Sequence, residues 1–131
     1  MGSFRIMRAY DDPDGGFRVL VDRLWPRGLA RERARLDDWA KDAAPSTELR
    51  VAFRRKAEHF GEFSDNYWHE LELGCAFEGA QRLLGLVEEH EDMVLLFAAK
   101  DQVHNHAVVL LEYLQEQQDE ASVASKDDGS G

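Results

Sequence analysis

The residues best suited to chemistry in this chain lie in one short segment, residues 97–106, which reads FAAKDQVHNH. It contains one cation, one carboxylate, one amide and two imidazoles: Lys100, Asp101, Asn105, His104 and His106. An imidazole, with a pKa of about 6.5, exchanges protons near neutral pH, and a carboxylate acts as a base beside it. The pattern predicts acid–base catalysis by the carboxylate and the imidazoles, with the lysine and the amide binding the ligand. The alternative is structural: Asp101 or Asn105 caps a helix, and Lys100 is a solvated strand end.

Two elements must position this segment. Residues 93–96 form an apolar run with the length and composition of a buried strand. Residues 107–118 place Val108, Leu111 and Leu114 at helical spacing, so a helix follows the strand. The N-terminus of a helix favours an anion, and open α/β sheets bind ligands where their strands end. The sequence therefore predicts an anion site at this junction.

A second polar group follows a strand predicted over residues 17–21. It contains Asp22, Arg23, Trp25 and Arg27, in a loop that Pro26 and Gly28 keep irregular. A guanidinium binds phosphates and carboxylates through paired hydrogen bonds, so Arg23 and Arg27 are ligand-binding candidates. Asp22 is a further catalytic candidate, and Trp25 is a ligand-binding one. The equally weighted alternative is an Asp–Arg ion pair that fixes the loop, with the indole packed in the core.

A third polar group, Lys41 and Asp42, follows residues 36–40, which we interpret as a short strand; the alternative is the end of a helix over residues 30–35. If the three strands are neighbours, their polar ends converge on one concave site that solvent reaches. The predicted site combines residues from all three polar groups: Asp22, Arg23, Arg27, Lys41, Asp42, Lys100, Asp101, His104, Asn105 and His106. The competing account makes the same residues an internal salt-bridge network that locks the loops.

The remaining elements give the fold class. Residues 4–10 alternate apolar and polar side chains like a half-buried strand, and residues 11–16 are rich in turn formers. If the first two strands pair directly, so short a connection makes them an antiparallel hairpin. Helices are expected over 30–35, from 47 with Ser46 as N-cap, over 58–73, over 77–90 and over 107–118. The prediction is an α/β fold with a small mixed sheet of three to four strands flanked by about five helices.

The totals limit the organisation of the chain. With 131 residues, we expect a single α/β domain over 1–118 and a disordered acidic or polar tail over 119–131. We find neither an apolar run that could span a membrane nor an export signal. Cys75 is the single cysteine, which excludes an internal disulfide within the chain and favours the cytoplasm. The net charge of −10 argues against nucleic acid as a partner.

The acidic surface also has few lysines. Lys41, Lys56, Lys100 and Lys126 stand against 26 acids, a composition that suits concentrated salt and indicates a halophilic source. No metal site is predicted, because His104 and His106 point in different directions if they lie in one helical turn. The identity of any cofactor and the oligomeric state stay open.

Three stretches of the chain resemble the signatures of the YeaO-like proteins, which belong to the wider domain-of-unknown-function family four-eight-eight. They are VDRLWPRGL at residues 21–29, WAKDAAPSTELR at residues 39–50 and AAKDQVHNHAVVL at residues 98–110. The resemblance implies a compact α/β domain of cytoplasmic proteins. Longer members of the wider family have cysteines in Cys-Ala-Glu and Cys-His-Arg patterns near the last strand. The corresponding stretches here are Ala98-Ala99-Lys100 and Asn105-His106-Ala107, so both cysteines are absent.

Two functional hypotheses of different classes follow. The first is a small cytoplasmic protein with an anion site, for a phosphate or a nucleotide-like molecule, at the carboxyl ends of its strands, with hydrolase-type turnover. The second is a regulatory module without turnover that binds a ligand or a protein through Trp25 and the neighbouring arginines. Substitutions of the anion-binding cations should distinguish a ligand site from a structural network, because breaking a buried ion pair lowers stability.

Overall fold

The computed structural model describes residues 2–53 and 56–130. The strands are β1 (Ser3–Arg8), β2 (Phe17–Leu20), β3 (Asp38–Trp39) and β4 (Asp92–Phe97). The α-helices are α1 (Arg31–Ala34), α2 (Thr47–Phe53), α3 (Phe60–Leu73), α4 (Phe77–Leu86) and α5 (His106–Ser130), and 3₁₀ turns lie at Lys41–Ala43 and Ala57–His59. A sheet of four strands with five helices confirms the predicted α/β class.

The sheet has the strand order β1-β4-β2-β3, and its three pairings are all parallel. The antiparallel hairpin that we considered for the first two strands does not form, because β4 lies between them. Residues 9–16 instead return across the sheet to start β2 in the same direction as β1. Gly16, with φ +84°, makes this close passage possible, since a Cβ there would lie 2.7 Å from Cγ2 of Val94.

Alternate side chains of β4 divide the core into two parts. Met93, Leu95 and Phe97 point to the side covered by α2 to α5, which we call the helical face. Val94 and Leu96 point to the other side, which we call the loop face, covered by residues 9–16, α1 and the loop after β2. β4 is buried on both faces, as its continuous apolar run predicts.

The start of α2 follows the expected local chemistry. The N–H of Leu49 donates to Oγ of Ser46 at 3.2 Å, so the predicted cap of α2 is confirmed. The sequence pattern predicts that this helix ends near Arg55 or Lys56; residues 54 and 55 lie outside the described residues. α5 continues past residue 118, and the division into a domain over 1–118 and a tail over 119–131 stays a prediction. Among the described helices, none has the length and apolar composition of a membrane span.

Candidate functional site

Polar side chains tie together the carboxyl ends of three strands. Leu20 of β2 is paired with Leu96 of β4, so the residues that follow these strands leave the sheet side by side. The N–H of Ala98 donates to Oδ2 of Asp22 at 3.1 Å. From the end of β1, the Arg8 guanidinium donates to the carbonyl oxygens of Ala98 and Ala99, each at 3.1 Å. The edge where ligands bind in such sheets is therefore fixed by the chain's own side chains.

Asp22 and His106 form a close carboxylate–imidazole pair at this edge. Nε2 of His106 lies 3.1 Å from Oδ1 of Asp22 and 3.1 Å from the carbonyl oxygen of Val21. Both oxygens only accept hydrogen bonds, so Nε2 carries a hydrogen and Nδ1 is the basic nitrogen of the neutral ring. The hydrogen bond of Nε2 goes to the Val21 oxygen, and Oδ1 of Asp22 is buried without a hydrogen bond in the described part of the chain. Each side chain is only 16% exposed.

The segment before α5 is closed on itself. The Asp101 carboxylate accepts the N–H groups of Val103 and His104, each at 2.9 Å, and lies 2.9 Å from Nδ1 of His104. These bonds, first of all the one from the His104 N–H, lower the pKa of Asp101. Asn105 is buried and caps α5, because its Oδ1 accepts the N–H of Val108 at 3.1 Å. Asn105 therefore caps α5, as the structural alternative predicts, whereas Asp101 closes the turn before the helix without capping it. The predicted chemical roles of both residues stay predictions.

Residues 22–29, which we call the arginine loop, are held by hydrogen bonds along their whole length. Three aromatic side chains donate to its backbone: Trp39 to the Asp22 carbonyl at 2.7 Å, Trp25 to the Leu29 carbonyl at 2.7 Å and Tyr10 to the Arg27 carbonyl at 2.6 Å. Nε of Arg23 donates to the Pro45 carbonyl at 3.2 Å. The side chains of Leu24 and Arg27 remain exposed on this fixed backbone.

Lys41 and Asp42, the third predicted polar group, contact different partners. Nζ of Lys41 lies 3.9 Å from the ring centre of Trp39. The Asp42 carboxylate accepts two hydrogen bonds from the Arg82 guanidinium of α4, at 2.9 and 3.1 Å, and Arg82 also binds Asp38. Its bonds to Arg82 lower the pKa of Asp42. Asp42 is therefore part of an ion pair between a loop and a helix, with a partner that was not among the residues of the predicted salt-bridge network.

The structure thus distributes the predicted site over several smaller groups. It brings Asp22 and His106 together; Asp101, His104 and Asn105 form the closed loop, and Lys100 beside them is exposed. Sequence reasoning missed Arg8, Tyr10, Arg31, Trp39 and Arg82 as members of these groups. The sequence could have indicated Arg8 and Trp39, because each lies at the carboxyl end of a strand. The carboxyl ends of parallel strands lie at the same edge of the sheet. Arg82 gave none, because it lies on a helix 40 residues from Asp42.

A separate cleft lies at the turn between α3 and α4. Its volume is about 510 Å³, and it is lined by Glu72, Leu73, Gly74, Cys75, Phe77 and Glu78. None of the predicted site residues lines it. Burial, followed by the charge of Glu70, raises the pKa of the Cys75 thiol, which disfavours a reactive thiolate. Over the residues that the structure describes, no three histidine, cysteine or acidic side chains are grouped so as to hold a metal ion.

Comparison with known proteins gives one family and several relatives. The family model described as the inactive DUF488-N3 subclade matches residues 3–130. Uncharacterized protein YeaO of Escherichia coli K12 is 38% identical over 109 residues, which cover 82% of this chain and 92% of the relative. Uncharacterized proteins Rv3073c of Mycobacterium tuberculosis H37Rv and Mb3100c of Mycobacterium bovis are each 38% identical over 112 residues, 84% of this chain and 92% of theirs. No solved structure matches.

Proposed function

The chain belongs to the family described as the inactive DUF488-N3 subclade, in agreement with the resemblance of its three motifs to the YeaO-like proteins, and from this premise we propose that it is a binding module without turnover. In this proposal the module recognises an anionic partner through the arginine loop. One observation carries it: Asp101, His104 and Asn105 of the predicted catalytic segment are hydrogen-bonded within the chain, whereas the arginine loop exposes the side chains of Leu24 and Arg27.

The segment before α5 supports a loss of turnover. Three N–H groups around the start of α5 are taken before an external anion arrives, because the Asp101 carboxylate accepts those of Val103 and His104 and the Asn105 side chain accepts that of Val108. The resemblance places cysteines of longer relatives at positions that are Ala98 and Asn105 here. Ala98 has no side-chain nucleophile, and the Asn105 amide is occupied in capping α5. The chain therefore keeps a carboxylate and an imidazole but has no side-chain nucleophile at either of these two positions.

The arginine loop supports recognition instead. Its backbone is fixed before a partner arrives, so little conformational entropy is lost when one binds. Exposed Arg27 and Leu24 (58% exposed) and half-buried Trp25 include the residue types that dominate binding energy at interfaces. A rigid scaffold that presents such a loop is typical of binding sites.

Isothermal titration calorimetry with three anionic probes tests this proposal: inorganic phosphate, ADP and a hexaglutamate peptide. We expect at least one probe to bind wild type and to bind Arg27→Ala several-fold more weakly, because the exposed guanidinium contacts the anion. The matched control is Arg50→Ala on α2, which should bind as wild type does. Binding that is equal in all three proteins, or absent for every probe, would overturn the proposal.

A second candidate function is the small-anion site with hydrolase-type turnover. The Asp22–His106 pair favours it, because a carboxylate beside a ring of fixed tautomer is the arrangement of a general base. Arg23, Lys41 and Lys100 would then bind the anion. Release of p-nitrophenol from p-nitrophenyl phosphate by wild type, lost in His106→Gln, would support this function and contradict the module. Equal background rates in both proteins would reject it.

We also propose that the module works in the cytoplasm of a cell with concentrated salt. One cysteine and four lysines against 26 acids are its grounds. Because salt screens the repulsion among excess acids, we expect the melting temperature to rise from about 0.1 M to about 2 M KCl. A flat or falling melting temperature would remove the salt part of this setting.

A further inference from the structure

We propose that the anionic partner is a short, extended acidic segment of another protein, bound by three cations that aromatic rings hold in fixed positions. The inference rests on the proposed function and names the chemistry of its partner. The three cations, which we call the cation row, are Arg8, Arg31 and Lys41. Each lies over one ring: Arg8 is 5.0 Å from the ring centre of Tyr10, Arg31 is 4.7 Å from that of Trp25, and Lys41 is 3.9 Å from that of Trp39.

The rings that hold the cation row are themselves connected. Trp25 and Trp39 meet edge to face with ring centres 5.5 Å apart. The Tyr10 hydroxyl donates to the arginine loop at the carbonyl of Arg27. All three rings are half-buried and pack against the apolar cluster of the loop face. A cation over such a ring loses little side-chain freedom when it binds a carboxylate, because its position is already restricted.

The sheet sets the length of the row. Arg8 ends β1 and Lys41 follows β3, and these are the two edge strands of the sheet. Three inter-strand spacings separate edge strands in a four-stranded sheet, which is roughly 14 Å. An extended chain rises about 3.3 Å per residue, so about five residues cover that distance. The row therefore fits a short extended peptide better than a single small anion.

Carboxylates fit this surface better than a nucleic acid does. A base would have to stack on the rings, but cations cover their outer faces and the apolar cluster packs against them from within. Residues 23–41 contain six cations and three acids in a chain whose net charge is −10. A long polyanion would also meet the acidic remainder of the surface, whereas a short acidic segment meets only the local excess of cations.

Tryptophan fluorescence provides the measurement, because Trp25 and Trp39 lie under the row. We titrate the full chain with hexaglutamate and, at equal concentration, with hexathymidylate. We expect hexaglutamate to bind more tightly, and its Kd to rise about two- to fivefold in each of Arg31→Ala and Lys41→Ala, since an exposed ion pair contributes up to about 1 kcal/mol. Arg50→Ala and Lys56→Ala are the matched controls and should leave the Kd unchanged.

The following results would overturn the inference. Hexathymidylate binding as tightly as hexaglutamate would make the partner a nucleic acid. Hexaglutamate binding that neither row variant weakens would place the site elsewhere. Dimerisation of the free chain in light scattering, lost in Arg31→Ala, would make the occupant a second copy. If hexaglutamate fails while phosphate or ADP binds through Arg27, only this inference falls; if no probe binds, the proposed function falls as well.

Discussion

The two faces of the sheet are built by different physical means. On the helical face, four helices cover Met93, Leu95 and Phe97 with a large, continuous apolar cluster. On the loop face, a smaller cluster around Val94 and Leu96 is covered by loops, by the short helix α1 and by half-buried aromatic rings. The first arrangement buries apolar area, which is the dominant source of stability. The second leaves cations and rings at the surface, where they can meet a partner.

The contrast extends to polar groups in the interior. Arg18 on the loop face is 3% exposed, and its Nη2 has no hydrogen bond in the described part of the chain. On the helical face, the buried Tyr67 hydroxyl donates to the Ala43 carbonyl at 2.5 Å. A buried cation without an ion pair lowers stability. Selection for stability alone would therefore not retain Arg18 on the loop face. We infer that the helical face supplies stability and the loop face recognition.

The largest expected effect comes from a substitution that creates a cavity on the helical face. Leu83 of α4 is fully buried, so Leu83→Ala should lower the free energy of unfolding by about 3 kcal/mol. Leu24→Ala in the exposed arginine loop should change it by less than about 0.5 kcal/mol. Urea denaturation measures both. Similar losses for the two leucines would contradict the division of roles between the faces.

Asp22 lies where the two faces meet, and its removal should have the next largest effect. Asp22→Ala leaves the N–H of Ala98 without its acceptor and removes the neighbour of His106. We expect a loss of about 2 kcal/mol in the free energy of unfolding, because a partly buried donor loses its partner. The control is Asp11→Ala in the exposed connection after β1, which should be nearly neutral. A neutral Asp22→Ala would mean that the carboxylate is kept for binding or catalysis alone.

Particular residues show how far the sequence could predict these features. The apolar run of residues 93–96 predicted β4 because a strand buried on both faces needs no alternation. The strand order could not be predicted, since no local pattern shows that β4 inserts between β1 and β2. Asn105 was correctly predicted as a capping residue in one alternative, because such bonds reach only two to four residues along the chain. Asp101 instead accepts N–H groups that precede α5. The Asp42–Arg82 pair could not be predicted from a local pattern, because it depends on the tertiary fold.

A gain of stability is expected from the loop face. Burial lowers the pKa of Arg18, which shows that its charged form is poorly solvated there. Arg18→Met should raise the free energy of unfolding by about 1 kcal/mol, since a buried charge gives way to an apolar chain of similar length. The exposed Arg33→Met is the control and should be nearly neutral. A loss in Arg18→Met would show that its hydrogen bond to the Ala34 carbonyl outweighs the burial of charge.

The smallest effect concerns pH and the ion pair that joins the loop after β3 to α4. Arg82 holds the pKa of Asp42 below its unfolded value, so the pair stabilises the fold above the unfolded pKa of about 4. That contribution is lost as pH falls through the lower, folded pKa, where Asp42 becomes protonated. Because the Asp42 side chain is 46% exposed, solvent screening limits the contribution to a few tenths of a kcal/mol.

Arg82→Gln should therefore cost more stability at about pH 7 than at about pH 3. Chemical denaturation at both pH values, with Arg50→Gln as control, measures the difference. An equal cost at the two pH values would show that Arg82 acts through packing on α4, so that the tie between the loop and the helical face is apolar.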